Sequence, residues 1–173
     1  EPAFAGTAWS ARGTLRSILG SADDSTLSRV EAAAGQRGFA VSGGGTYQGV
    51  GDRRIGGGET LPYTSYSARA ADFKLRGDVS AGHELMASAQ HSEQPKTPRY
   101  DELTPGFGQT QPNSAVFFFE PQRREFAQLR WRGSNATTLW DNAEAHIGRQ
   151  VLVDDRRTRD FGSSNQDRER NSD

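Results

Sequence analysis

The sequence predicts an all-β chain, an antiparallel meander of about seven strands that forms part of a transmembrane β-barrel. Three observations carry that expectation. Across Ala71, Phe73, Leu75, Gly77 and Val79 the side chains are small or apolar, while the interleaved Asp72, Lys74, Arg76 and Asp78 are all charged. A period of two puts one set on each face of a strand. One face therefore favours oil and the other water, which suits a barrel wall in lipid with a wet lumen or an open sheet laid on a core. The connections, secondly, alternate between tight and long, as do the short periplasmic turns and longer extracellular loops of bacterial outer-membrane barrels. Thirdly, only 29 of the 173 residues are Leu, Ile, Val or Phe, about 17 per cent. That lies under the ~20 per cent below which a chain struggles to fill a globular core. The formal net charge of -1 is too small for disorder, which couples low hydrophobicity to strong charge.

Each strand is bounded by turn chemistry. The first is expected at 8–19 and ends at Gly20-Ser21-Ala22-Asp23-Asp24. The second, 25–34, closes at Gly35-Gln36-Arg37-Gly38 into the third, 39–50. Here Gly43-Gly44-Gly45 resembles a phosphate-binding run only superficially, because no helix and no Lys-Ser/Thr follow; glycines in a curved wall let a strand bend. A glycine-rich connection from Gly51 to Ser67 leads to the fourth strand, 68–80, which turns at Ala81-Gly82-His83 into the fifth, 84–92. The second long connection, Glu93 to Ser114, holds Pro95, Pro98, Pro105 and Pro112 and cannot be ladder throughout. The sixth strand, 115–132, is aromatic and interrupted at Pro121; Gly133-Ser134-Asn135-Ala136 returns the chain to the seventh, 137–149. The remainder, 150–173, reads as loop, since from Asp154 it has six acids, five arginines and almost nothing apolar. Two segments also carry helix signals. Ser28-Arg29-Val30-Glu31 fits a capping box with Leu27, Val30 and Ala34 at helical spacing, and Leu139, Ala143 and Ile147 fall four apart. Their place in the tight/long alternation assigns both to strands.

The absence of cysteine excludes a disulfide scaffold, a thiolate metal site and a cysteine nucleophile. Nothing approaches the ~18 consecutive apolar residues of a membrane-spanning helix. Glu1-Pro2-Ala3-Phe4 has neither the basic start nor the apolar run of a signal peptide, so an exported protein would be missing its beginning here. No triad, paired-acid, metal-ligand or cofactor-binding spacing stands out, which argues against an enzyme and against a cofactor. No basic surplus supports nucleic-acid binding.

Several segments share an order with a known family. Gly51-Asp52-Arg53-Arg54 through Gly56-Gly57-Gly58 to Leu61-Pro62-Tyr63-Thr64-Ser65-Tyr66, then Ala71-Asp72-Phe73-Lys74-Leu75-Arg76 and Gly82-His83-Glu84-Leu85, resemble the early barrel of TonB-dependent outer-membrane receptors. Pro98-Arg99-Tyr100-Asp101-Glu102-Leu103 and Glu120-Pro121-Gln122-Arg123-Arg124 resemble its later segments. The resemblance implies residues 1–173 as a partial barrel domain of a 22-stranded receptor in the bacterial outer membrane. It implies active uptake of a scarce ligand such as an iron siderophore, haem or a similar metal complex. The implied partners are outer-membrane lipid, the receptor's own plug domain, the TonB energy-transducing complex and a small-molecule metal chelate. Neither a plug nor a TonB-contacting box stands in this sequence, and an odd strand count does not close a bacterial barrel, so a fragment is expected.

Tyr63, Tyr66, Arg99 and Tyr100 fall on the two long connections, where exposed aromatics and arginines capture ligands, and arginine grips anionic oxygens bidentately. Girdle or loop packing is their other reading. Among the histidines, His83 and His146 are poor ligand candidates, while His91 sits near the outer end of a strand. Asp72, Lys74, Arg76 and Asp78 are expected to face the lumen and the plug, or else bulk water. The alternative to a receptor is a structural or adhesive antiparallel sheet with no transport role, whose apolar positions would converge on an internal core.

Overall fold

The structure, a computed structural model, describes residues 4–134 and 140–173. In chain order the elements are β1 (Ser10–Gly20), β2 (Ser25–Gln36), β3 (Phe39–Val50), β4 (Arg53–Arg54), β5 (Thr60–Leu61), β6 (Tyr66–Ser80), β7 (His83–Gln94), β8 (Thr97–Pro98), α1 (Tyr100–Leu103), β9 (Ser114–Ser134), β10 (Asn142–Asp160) and β11 (Asp167–Glu169). The long strands build one antiparallel sheet in the order β1-β2-β3-β6-β7-β9-β10-β11, with β8 added beside β9 and β4 pairing β5 separately. Neighbours in sequence are neighbours in space, so the expected meander of seven long strands is met.

Over their described residues, both segments with helix signals are strands. Val30 of β2 lies between Leu15 of β1 and Gly45 of β3, and Ile147 of β10 lies opposite Leu129 of β9. A ladder on both sides of β2 satisfies every backbone group that a helix would have satisfied internally, which overrides the local propensity. The expected return turn at Asn135-Ala136 and the expected strand start at Thr137 lie outside the described residues.

Tight hairpins close one end. Ala81-Gly82 joins β6 to β7 with Gly82 at φ 74°, a left-handed conformation that glycine adopts without Cβ strain. Adjacent turns are tied together: Ser134 N–H donates to Gly82 O at 2.7 Å and Asp78 N–H to Gly38 O at 2.7 Å. At the other end stand the connections 51–65 and 95–113 and the short turn between β1 and β2.

The segment expected as loop is corrected. β10 runs through the arginine-rich stretch to Asp160, and β11 folds back to pair Arg156–Thr158. Composition counted the charged heads there; the structure uses the apolar stems, which lie over the phenylalanines of β9. Pro121 does break the ladder: the register shifts between Asp154 and Arg156, opposite it.

Candidate functional site: a two-faced wall and its long-loop end

Register sorts the wall into two faces, because directly paired residues of an antiparallel sheet point the same way. One set links Leu75 of β6 to Ala87, Leu129 and Ile147 on β7, β9 and β10. The other links Thr14, Glu31, Gly44, Asp72 and Gln90 across β1, β2, β3, β6 and β7. The apolar face is the open one: Leu15 is 75% exposed, Ile147 73%, Leu129 48% and Phe73 47%. The charged face is half-buried at its centre, at Arg29, Asp72 and Arg76, and exposed toward its margins at Thr14, Glu31 and Gln90. Among the described residues of the wall, the apolar side chains classed as buried are Ala40 and Met86, and both are on the charged face, paired with Arg76. Arg130 reaches Met86 Sδ at 3.5 Å, so a long cationic stem supplies its cover.

At the centre of the charged face Arg29 crosses a whole strand. From β2 it donates through Nε to Glu31 at 3.0 Å, through Nη1 to Thr46 Oγ1 at 3.0 Å and through Nη2 to Asp72 of β6 at 2.8 Å. Its path runs over Gly44 of β3, where an added Cβ would sit 2.7 Å from Nη2 and 3.0 Å from Cζ. The glycine run thus has a use that bending alone does not explain: it clears the way for a charge-assisted bond between β2 and β6. Arg12, Thr14, Ser42 and Lys74 line an adjoining polar cavity of about 280 Å³. Arg76, expected with Asp72 and Lys74 on the charged face, pairs with Glu84 across the β6–β7 turn.

The four candidate loop residues part company. Tyr63 occupies a turn at φ 63° and is 45% exposed. Tyr66 is not in a loop: it opens β6 opposite Val50, on the same face as Asp72. The neck of this connection is closed by Asp52, whose Oδ1 accepts from the amides of Thr64 and Ser65, both at 2.9 Å. Burial works to raise the Asp52 carboxyl, but the two amides outweigh it and hold it below the usual carboxylate range. The loop docks on the β1–β2 turn through Arg54–Asp24 at 2.6 Å.

Arg99 and Tyr100 sit on the other connection. Arg99 stacks over Phe117, 5.1 Å from its centroid, and pairs with Asp101 at 3.1 Å, a bond that raises the guanidinium further above its ordinary value. Tyr100 begins α1, and its carbonyl accepts from Thr104 Oγ1 at 2.7 Å. Both residues are therefore partly committed to holding their own loop.

His91 turns to the apolar face, in register with Ala71 and Glu125. His83 stacks on Trp131 at 5.5 Å. No group of three His, Asp or Glu side chains that could hold a metal ion occurs among the described residues. Aromatics gather at the tight-turn end, where Trp9 meets Phe39 at 5.8 Å and Trp131 meets Trp140 at 6.3 Å.

An antiparallel β-meander with one charged face, half-buried at its centre, and one open apolar face is the class of fold defined by these strands. Among solved structures it is similar to the copper transporter OprC, with a TM-score of 0.69 and 17% identity over 91% of this chain. The chain spans 22% of that transporter's length. No protein-family model and no curated protein matches it.

Proposed function

We propose that this chain is a wall segment of a TonB-dependent outer-membrane receptor that takes up a metal-bound ligand, rather than an enzyme. The observation that carries the reading is the inverted burial of the sheet. A sheet in water covers its apolar face, whereas here the apolar face is open and the buried positions Ala40 and Met86 are on the charged face. Such a wall is stable where hydrocarbon contacts the apolar side and water fills the other. Phe39 and Tyr47 stand eight residues apart on the apolar face of β3, about 26 Å along the strand and, at a tilt of about 40°, about 20 Å in height. Together with the aromatic cluster at the tight-turn end, this suits two girdles flanking an acyl layer.

β1 and β10 run in the same direction, seven antiparallel strands having an odd count. Closing them on each other would make a parallel seam, which favours further strands between them and a larger barrel, in keeping with the partial coverage of OprC. The metal ligand is inferred from that neighbour's transport of copper and from the charged face itself. Over β1–β6 that face carries Arg12, Arg16, Arg29, Lys74 and Arg76 against Glu31, Asp72 and Asp78, a surplus that suits an anionic chelate or an acidic plug surface. Tyr66, facing the same side at the long-loop end, is the ligand contact best supported by position, with Tyr63, Arg99 and Tyr100 above it on the loops.

The structural or adhesive reading requires the apolar positions to meet in a core, and the exposure of Leu15, Ile147, Leu129 and Phe73 weighs against it. The test is cell fractionation joined to uptake. The protein is expected in the outer membrane, resisting detergent unfolding until heated, and deletion of its gene is expected to abolish accumulation of a labelled metal chelate. Recovery as a water-soluble monomer with a cooperative unfolding transition would overturn the proposal.

A further inference from the structure

We propose that the boundary between acyl chains and the phosphate headgroups of the surrounding lipid crosses the apolar face obliquely, through Arg69, His91, Glu125 and Arg149. This rests on the barrel-wall reading above. Followed from the tight-turn end, the apolar face of β6 meets its first ionisable side chain at Arg69 beyond Ala71; β7, past His83 at the rim itself, meets one at His91 beyond Ala89, β9 at Glu125 beyond Ala127, and β10 at Arg149 beyond Ile147. These four are not in one register row. His91 and Glu125 are opposite Ala71's position, two residues nearer the tight turns than Arg69, and Arg149 is opposite Ala127, two residues nearer again.

The boundary therefore slips by four residues over three strand spacings, about 13 Å along the strands against about 14 Å across them. That is an inclination of about 40°, inside the ~35–45° tilt of outer-membrane barrel strands. A level surface cutting tilted strands has to slip in this way.

The opposite rim slips in the same sense. The hairpins end on the pairs Gln36–Phe39, Ser80–His83 and Ser134–Asn142. Phe39 is opposite Gly77, three residues short of Ser80, and His83 is opposite Gly133, one residue short of Ser134. Upper boundary and lower turns thus descend together along the register, although they share no residue.

Exposure and chemistry change at the same line. On β10, Ile147 below it is 73% exposed, whereas Val151 and Val153 above it are half-buried. A shallow trough of about 490 Å³ straddles the line, with Ala71, Ala89, Ala127 and Phe73 below and His91, Glu125 and Arg149 on it. On the line, Arg69 pairs with Glu93 at 2.9 Å, His91 lies 3.5 Å from Glu93 and 3.8 Å from Glu125, and Arg123 lies 3.4 Å from Glu125. Charges of this density cost several kcal/mol each to strip of water, and arginine engages phosphate oxygens bidentately. Both facts place the line at the headgroups.

The test is depth measurement by spin label. The chain has no cysteine, so single labels can be attached within it in the full-length receptor, with any cysteine elsewhere in that receptor replaced by serine, reconstituted into phosphatidylethanolamine–phosphatidylglycerol vesicles. Phe73 and Arg149 lie in one register row through Ala89 and Ala127. On the oblique boundary, labels at Phe73→Cys should lie deeper than labels at Arg149→Cys by about 9 Å, the climb of three strand spacings at a 40° tilt. Labels at Arg69→Cys and Arg149→Cys should share one depth. Ala71→Cys and Val151→Cys, also row mates, repeat the comparison without removing a charge. Unequal depths at Arg69→Cys and Arg149→Cys, with Phe73→Cys still deeper than its row mate, would overturn the proposed boundary while leaving the barrel intact; equal depth for the row mates would overturn the tilted wall as well. Oxygen accessibility no higher than that of a water-soluble nickel chelate at every label would instead overturn the barrel reading itself.

Discussion

The wall and the upper part of its last hairpin are made by the same two strands, yet they follow opposite rules. Below Pro121, β9 alternates: Ala127, Leu129 and Trp131 point to the open face and Gln128, Arg130 and Arg132 to the charged one. Above it, Phe117, Phe118 and Phe119 place aromatic rings on both faces, and all three are half-buried. Each ring is capped by a cation. Arg99 lies over Phe117, Lys96 over Phe118 at 4.2 Å with Arg157 at 5.8 Å, and Arg156 over Phe119 at 5.4 Å. β8 and β11 widen the sheet at this height, so the hairpin stands as a small four-stranded ribbon. The difference teaches that alternation requires two solvents. On the wall, read as proposed, lipid and water are separated by one strand thickness and side chains sort by face; in the ribbon, rings are shielded by the stems of charged side chains instead.

The sharpest way to break this comparison is to charge the wall. Leu129→Arg is expected to destabilise the lipid-embedded protein by about 2–4 kcal/mol, the cost of a cation on the lipid face near mid-depth. Urea unfolding in vesicles measures it. Because Leu129 is 48% exposed, the same change in a water-borne sheet would be close to neutral, and a neutral result would erase the distinction between the two regions.

Next in size, Gly44→Val drives a side chain into the Arg29 guanidinium and should cost about 1–3 kcal/mol by overpacking. Its signature is loss of the Arg29–Asp72 bond. A second substitution, Arg29→Met, should then add little to the first.

Phe118→Ala in the upper ribbon should cost about 1–2 kcal/mol, less than the ~3–5 kcal/mol of a fully buried phenylalanine. Hydrogen exchange should rise around 96–99 and 154–160 and stay unchanged in the wall. Spread of the effect below Pro121 would show that the two regions unfold as one.

The smallest effect is acid loosening of the 51–65 connection. The Asp52 carboxyl is lowered in the folded chain, so its contribution is present above the unfolded value of about 3.9 and fades as pH falls through the lower folded value. Amide exchange at Thr64 and Ser65 should therefore quicken below about pH 4, and Asp52→Asn should show the quickened exchange at neutral pH. An unchanged acid profile would remove Asp52 as the tether.

Much of the candidate site could be read from residues one at a time, but not its connections. Asp72, Lys74 and Arg76 announce a charged face by alternation, whereas Arg29 does not, because its strand carries a helix signal as well. The clue was Gly43-Gly44-Gly45: a strand that gives up three side chains leaves space for a neighbour's. Tyr66 and Arg99 were singled out by type and place, yet the first proved to open a strand and the second to hold its own loop.

By itself the sequence determined the two faces and the turns, because a period of two and the conformations allowed to glycine and proline are local properties of the chain. Which face is open, where Arg29 finds Asp72, and how the polar boundary slips from β6 to β10 were decided only by the tertiary structure. Each depends on register between strands, and register follows from pairing across the sheet, which no single strand specifies.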